Sequence, residues 1–462
     1  MKRIAIVGGG ISGLAAAFAL EERRLAGESL EYVIYEATSR FGGVLVTEEV
    51  DSCVVEAGPD SFLTEKPWAA DLCRRAGLEN QLIGSNDRDR KTYIVLKGRL
   101  SPMPDGLMFM VPTKIMPAFL SPLFSPATKL RMVREWRSPP RPSNGDESVA
   151  SLVERHYGAD MVDRVADPML AGVYGGEASQ LSVRAVLPRF AEMEAKYGSL
   201  GRGILAARKK AHHPEATPSI FTSLKNGMQQ LADAIVMKLP AQALHPNSLV
   251  QAVQRQDRSW VVSAGYASDQ FDAVILATPT QIAAPLLEIT SAELASELRA
   301  IPYSSSVTVA LGFDQEVRAA LPPGFGFLVP RAEGKRLLAT TFVHNKFPYR
   351  VPEDRALLRC FLGGSRDEAV LQLSNDEILS LVRAELDQIL ELRAEPLFAR
   401  VYRWKAAMAQ YNVGHLERVD RIDRLRKQLP GLALAGNGYR GIGVPDCIRS
   451  GEEAVNQVLA AE

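Results

Sequence analysis

An α/β fold is predicted, made of a discontinuous parallel-sheet domain, a domain on a mixed β-sheet and a helical insertion. Three observations predict it. The chain opens on a β-rich apolar run, "RIAIV", a helical pattern, "ISGLAAAFALEERRLAG", and a second strand, "EYVIYEA", which is one βαβ unit. Far downstream, "FDAVILATP" and "GLALAGNG" repeat the strand-then-glycine form, the first so apolar that it belongs inside a sheet covered on both faces. Between them lies a long block punctuated by proline and then helical, beginning at "SPMPDGLMFMVPTKI".

The remaining elements follow in order. "SLVQAVQRQ" and "SWVVSAG" precede "FDAVILATP" as successive strands, and "SSVTVALGF", "GFGFLVP", "RLLATTFVH" and "ALLRCFLGG" suggest an antiparallel sheet from Tyr303 to Arg403. The helix "NDEILSLVRAELDQIL" comes after the last of these runs. A chain of 462 residues exceeds one ordinary core, so two or three domains are expected. We divide it as 1–57, 219–282 and 428–462 for the parallel-sheet domain, 58–85 and 283–427 for the mixed-sheet domain, and 86–218 for the helical insertion.

Composition excludes several classes. Lys plus Arg and Asp plus Glu both number 54, which removes the electrostatic reason to expect a nucleic-acid partner. Cys53, Cys73, Cys360 and Cys447 are far apart with no CxxC pair, so neither a zinc site nor a disulfide framework is expected, and a reducing cytoplasm fits. The glycines after "MKRIAIV" fall where a strand turns into a helix, unlike a targeting peptide. The apolar stretch from Leu107 to Phe124 is broken by Pro112, Lys114, Pro117 and Pro122, short of the roughly 18 apolar residues a membrane span needs. Its Met and Phe content suits a pocket wall, a helical core or a patch resting peripherally on the inner face of a membrane. The six histidines, His156, His212, His213, His245, His344 and His415, form no metal-ligating spacing, and no GxSxG appears. Metal is therefore not expected.

The motif that carries chemistry is Gly8-Gly9-Gly10-Ile11-Ser12-Gly13, a GxGxxG between strand and helix, with Glu36 closing the second strand a little over twenty residues on. Glycines let backbone approach a pyrophosphate, the helix N-terminus supplies partial positive charge, and the acid accepts from ribose hydroxyls. This Rossmann-like unit fits FAD and NAD alike. In "EATSRFGGVLVT", Arg40, Gly42 and Gly43 follow the acid at once, which suits a second pass of chain along a longer cofactor.

With that R-x-G-G the sequence resembles the flavin amine oxidase and protoporphyrinogen oxidase superfamily. "VVEAGPDSFL", "SLKNGMQQL", "RWKAAMAQYNVGHLERV" and "LAGNGYRGIGVPDCIRSG" look like boxes of its oxygen-dependent porphyrinogen oxidases, and the likeness runs end to end. The resemblance implies FAD, with contacts from the Gly8–Gly13 stretch, Glu36, Arg40, Gly43, Val44, Gly58, Pro59, Asp60, Ser61, Val250, Trp404, Asn437, Ile442, Gly443 and Val444. It implies that the final glycine turn and the helix beginning near Asp446 lie against the isoalloxazine ring, where reduced flavin is negatively charged. It also implies oxidation of a porphyrinogen in haem biosynthesis, protoporphyrinogen IX or coproporphyrinogen III, with O2 reoxidising the flavin to give H2O2 and other haem-pathway enzymes as protein partners. No acid or base side chain is assigned to catalysis.

Two positions bear on substrate. Gly172 matches a family position where a missing side chain leaves room for the flat macrocycle, or is simply a helix end. Thr92 stands where some members carry a propionate-binding arginine, which is more like the soluble bacterial branch that includes coproporphyrinogen III oxidases; Lys66, Arg90 and Lys91 are nearby cations. An amine or amino-acid oxidase of the same fold is the main rival, yet those enzymes place a lysine where this chain has Thr308. A carotenoid desaturase is a weaker rival. A non-catalytic flavin- or porphyrinogen-binding scaffold would be a rival of a different class.

Overall fold

The computed structural model describes residues 1–142, 145–210 and 219–460. His212 and His213 lie outside them. A five-stranded sheet in the order Leu244–His245, Leu30–Tyr35, Lys2–Val7, Ala273–Leu276, Leu432–Leu434 is parallel throughout. Its register aligns Val7 with Tyr35 and with Leu276, and Leu276 with Leu434. The loops that begin at Gly8, Glu36, Ala277 and Ala435 therefore open along one carboxyl edge, where such sheets bind ligands.

Side-chain alternation gives the sheet two dry faces. Ile4 and Ile6 point to the side packed by the helices Ile11–Leu25 and Val444–Ala460. Ala5 and Val7 point to the other side, against Trp260 and Val262 of the antiparallel strands Val250–Gln256, Ser259–Ala264 and Ala267–Phe271. The two helices approach closely because small residues line the contact: a Cβ on Gly451 would lie 2.2 Å from the Ser12 carbonyl oxygen.

The second sheet has seven strands in the order Phe398–Ala409, Tyr303–Asp314, Arg355–Gly363, Leu337–Phe342, Gly326–Leu328, Thr92–Leu96, Arg99–Pro102. It is antiparallel except where Gly326–Leu328 runs parallel to Thr92–Leu96, which makes it mixed. One face packs on the helix Asn375–Leu390, which starts with a reciprocal Ser374–Glu377 capping box.

The stretch 86–218, expected as helical, thus gives its first two strands to this sheet. The reason is local: Lys97 and Gly98 both take positive φ, +53° and +75°, the requirement of a tight two-residue hairpin. Beyond them the helices Pro126–Glu135, Val149–Tyr157, Asp167–Tyr174, Pro188–Tyr197 and Leu200–Lys210 form their own core. A π-helical turn, Val162–Ala166, leads into Asp167–Tyr174. The Leu107–Phe124 stretch divides: Met110, Val111, Ala118, Leu123 and Phe124 are buried, whereas Met116, Phe119 and Leu120 face out. Among the described residues no helix is long and apolar enough to cross a membrane.

The helix contact at Gly451 predicts a sign. Alanine is favoured over glycine inside a helix by about 1 kcal/mol. The clash here is with main chain that cannot rotate away, and overpacking of that kind costs about 1–3 kcal/mol. Gly451→Ala should therefore lower the urea midpoint of unfolding; an unchanged or raised midpoint would show that the helices move apart freely.

Candidate functional site

At the carboxyl edge the first turn is made of backbone packed on backbone. Gly8 has φ +105°, and a Cβ there would lie 2.7 Å from the Ala277 carbonyl oxygen. A Cβ on Gly13 would lie 1.9 Å from the Gly8 oxygen, so only glycine lets the helix Ile11–Leu25 start so near the strand. Gly10 differs, since nothing lies within 4 Å of the position its Cβ would take. The helix it precedes has no side-chain cap and no acid in its first turn, which leaves the amides of Ile11, Ser12 and Gly13 suited to an anion.

The loop after the second strand folds back over this turn. Gly9 N–H donates to Glu36 Oε2 at 2.8 Å, and Thr38 donates to Oε1 from both its N–H, 2.8 Å, and its hydroxyl, 2.7 Å. A carboxylate has about four lone-pair sites, so acceptor capacity remains on Glu36. Gly42 N–H donates to the Gly9 oxygen at 2.8 Å, and a Cβ on Gly43 would lie 3.1 Å from Gly10 Cα. Arg40 holds the loop's shape by donating to the carbonyls of Phe41, Gly43 and Leu45. Val44, partly exposed, crosses Gly58 so closely that a Cβ on Gly58 would lie 1.8 Å from the Val44 oxygen.

Behind Gly58 and Pro59 sits a cluster of buried charge. Asp60 accepts from Ser61 Oγ at 2.6 Å and from Lys346 Nζ at 2.9 Å, with Arg359 at 3.8 Å. Burial would raise its pKa, but the Lys346 and Arg359 cations outweigh that and hold the carboxyl below its usual range. Arg359 also donates to the carbonyls of Ala57 and Gly58, and Trp404 Nε1–H donates to Ala57 at 2.9 Å. One layer deeper, Arg350 pairs with Glu56 at 3.0 Å and donates to the Asp60 carbonyl.

The chain's last turn meets the same edge. Gly436 N–H donates to Ser450 Oγ, Asn437 Nδ2 to the Ala407 carbonyl, and Tyr303 OH to Asn437 Oδ1. The final helix begins at Val444, two residues before the expected Asp446, whose buried carboxylate takes an ion pair from Lys66 at 2.6 Å. Ile442 and Gly443 lead into it, and a Cβ on Gly441 would lie 2.3 Å from Asp446 Cγ.

The other expected positions are more dispersed. Val250 is buried at the start of its strand, beside a break in register with Ala264. Thr92 pairs with Gly326 and Gly172 stands 3.8 Å from Leu328 by its absent Cβ, so both border the strand Gly326–Leu328. Thr308 is buried between Tyr402 and Phe361. Sequence reasoning passed over Lys346, Arg350 and Arg359, because isolated cations in strands and turns carry no spacing signal.

These residues fit a dinucleotide: open space at Gly10, uncapped amides beyond it, a ribose-ready carboxylate, and a buried Thr278 hydroxyl with no hydrogen-bond partner among the described residues. The fold and site define an α/β protein suited to a dinucleotide, its parallel sheet assembled from distant parts of the chain. The chain belongs to the flavin containing amine oxidoreductase family, whose model matches residues 11–459. A coproporphyrinogen III oxidase of Bacillus subtilis (strain 168) is 32% identical over 465 residues, covering 99% of this chain and 98% of the relative. The mitochondrial protoporphyrinogen oxidase of Nicotiana tabacum is 28% identical, covering 99% and 95%. A crystal structure named as a protoporphyrinogen oxidase from Exiguobacterium sp. 255-15 superposes with TM-score 0.88 at 29% identity, covering 98% of each chain. Putrescine oxidase, at 19% identity and TM-score 0.69, shares the fold alone. The protein is an oxidoreductase and its cofactor is FAD.

The site is framed by two buried neutral histidines. Burial lowers His344 and His415 from 6.5 to about 4 each, against a backbone hydrogen bond that pulls upward. A depressed histidine protonates first in the unfolded chain, so its contribution is full above 6.5 and is lost as pH falls toward 4. Between pH 7 and 5 we expect a loss of about 2 kcal/mol per histidine. Urea unfolding at the two pH values checks this: the drop should shrink by that amount in His344→Gln, and an equal drop in both proteins would refute it.

Proposed function

We propose that this FAD-dependent enzyme oxidises coproporphyrinogen III to coproporphyrin III, passing electrons to O2 and releasing H2O2. Three two-electron rounds remove six hydrogens from the macrocycle and reduce three O2 to three H2O2. The observation that carries the proposal is the likeness to coproporphyrinogen III oxidases over 99% of this chain and 98% of the Bacillus subtilis relative. Thr92, standing where the family resemblance implies a propionate-binding arginine in some members, agrees with the same choice.

The division of labour follows from the chain's own groups. The amides of Ile11, Ser12 and Gly13 would hold the pyrophosphate, Glu36 the ribose, and the Arg40–Val44 and Gly58–Ser61 stretches the length of the cofactor. Trp404, Val250, Asn437 and the Ile442–Val444 segment would complete its surroundings. When bound, FAD supplies the hydride acceptor. The protein's part is orientation and exclusion of water, with the macrocycle beside Gly172 and Thr92. An amine oxidase reading is disfavoured because buried Thr308 supplies no lysine ammonium at that strand position.

The turnover test compares coproporphyrinogen III, protoporphyrinogen IX and a panel of amines under air, scored by porphyrin fluorescence and peroxide. The expected outcome is fastest turnover of coproporphyrinogen III with peroxide formed; consumption of amines alone would overturn the assignment.

We further propose peripheral membrane contact through the helices Ile115–Leu120 and Pro126–Glu135. Met116 is 65% exposed and Leu120 75%, and the Lys129 ammonium stands 5.7 Å from the Phe119 ring, an apolar patch with a basic edge. The protein should float with phosphatidylglycerol vesicles at low salt and less so as Leu120→Ser; a protein left wholly in the soluble fraction excludes it.

A further inference from the structure

We infer that Tyr411 and His415 are positioning residues that set the shape of the turn Gly436–Gly443, and through it the rate of electron transfer. The inference rests on the reading that this turn faces the flavin ring. Tyr411 is 1% exposed, and a phenylalanine would fill the same volume without a polar atom to satisfy. Its hydroxyl instead has both roles taken by the turn: it donates to the Asn437 carbonyl at 2.7 Å and accepts from the Gly441 N–H at 2.8 Å. Those two backbone groups are bridged by the hydroxyl and not by each other.

His415 completes the clamp. Its ring stacks on Tyr411 with centroids 3.9 Å apart and planes 13° from parallel. Its Nε2 lies 2.8 Å from the Tyr439 carbonyl. A carbonyl only accepts, so Nε2 carries the proton. Three consecutive odd-numbered positions of the turn, 437, 439 and 441, are thus held by two side chains from one five-residue segment. Gly441 sits at φ +123°, a conformation open to glycine and closed to most other residues.

The same segment is tied to the helical insertion. Ser182 N–H donates to the Tyr411 carbonyl at 2.8 Å, Val413 N–H to Gln180 at 2.9 Å, and Gly414 N–H to Asp146 Oδ2 at 2.9 Å. Tyr411 and His415 therefore sit where the insertion, the mixed sheet and the last turn meet. Holding that turn affects the ring's surroundings and leaves the macrocycle's own contacts alone, so the effect belongs on kcat and on flavin properties more than on KM.

The test uses the holoenzyme and the Tyr411→Phe variant. We expect FAD binding about tenfold weaker and kcat about tenfold lower, as for the loss of two backbone hydrogen bonds. KM should change less than about twofold, with a shifted visible flavin spectrum and midpoint potential. A variant whose spectrum, potential, FAD affinity and kcat all equal the wild type's overturns the inference. Should Tyr411→Phe not fold, His415→Gln is compared with His415→Leu; glutamine can still donate to Tyr439, and equal FAD affinity and spectra in the two overturn it. Wild-type protein that binds no flavin refutes the underlying cofactor reading, whereas wild type with normal flavin but inert toward porphyrinogens refutes only the substrate assignment.

Discussion

The helix Ile11–Leu25 is wedged between two backbone contacts that no side chain larger than hydrogen would permit. On one side Gly13 lies against the Gly8 oxygen; on the other, Gly451 lies against the Ser12 oxygen. The first contact fixes where the helix starts relative to the strand Lys2–Val7, and so where its free amides point. The second brings the last helix alongside, and with it the turn Gly436–Gly443. The helix Val444–Ala460 is held there because both helices bury small residues against each other.

The second constraint is electrostatic. Glu56, Asp60, Lys346, Arg350 and Arg359 form buried ion pairs at the junction of the two sheets. Desolvating ions is costly, and their pairing offsets it only when hydrogen bonds complete the geometry. Arg359 meets part of that demand by donating to the carbonyls of Ala57 and Gly58, while its Nε and that of Arg350 have no hydrogen-bond partner among the described residues. The charges thus shape the Gly58–Ser61 stretch instead of facing solvent. Removing Glu56 or Arg350 would leave its partner buried and unpaired, and removing Asp60 would leave Lys346 and Arg359 without their carboxylate, which ties the folding of the mixed sheet to the order of the Gly58–Ser61 loop.

Much of this architecture is legible in the residues. The βαβ unit, Glu36 and the glycine turn announce themselves because strand period, helix period and backbone clearance are local properties. The helix Asn375–Leu390 matches its expected span, since its caps lie in its own sequence. The hairpin at Lys97–Gly98 is less visible: it falls at the edge of a stretch expected as helical, although the tight turn is present in the residues. The charged cluster and the Tyr411–His415 clamp give no signal at all. Their partners lie far along the chain, at Asp60 for Lys346 and at Asn437, Tyr439 and Gly441 for the clamp.

The sequence by itself carried the family resemblance, through that resemblance FAD, and the local form of the Gly8–Gly13 turn, because the motifs behind them depend on which residues are adjacent. Tertiary structure decided which cations were already committed to carboxylates, which apolar residues of Leu107–Phe124 stayed outside, and which tyrosine spans the last turn. Those outcomes depend on distance through space, and one dimension of spacing does not encode it.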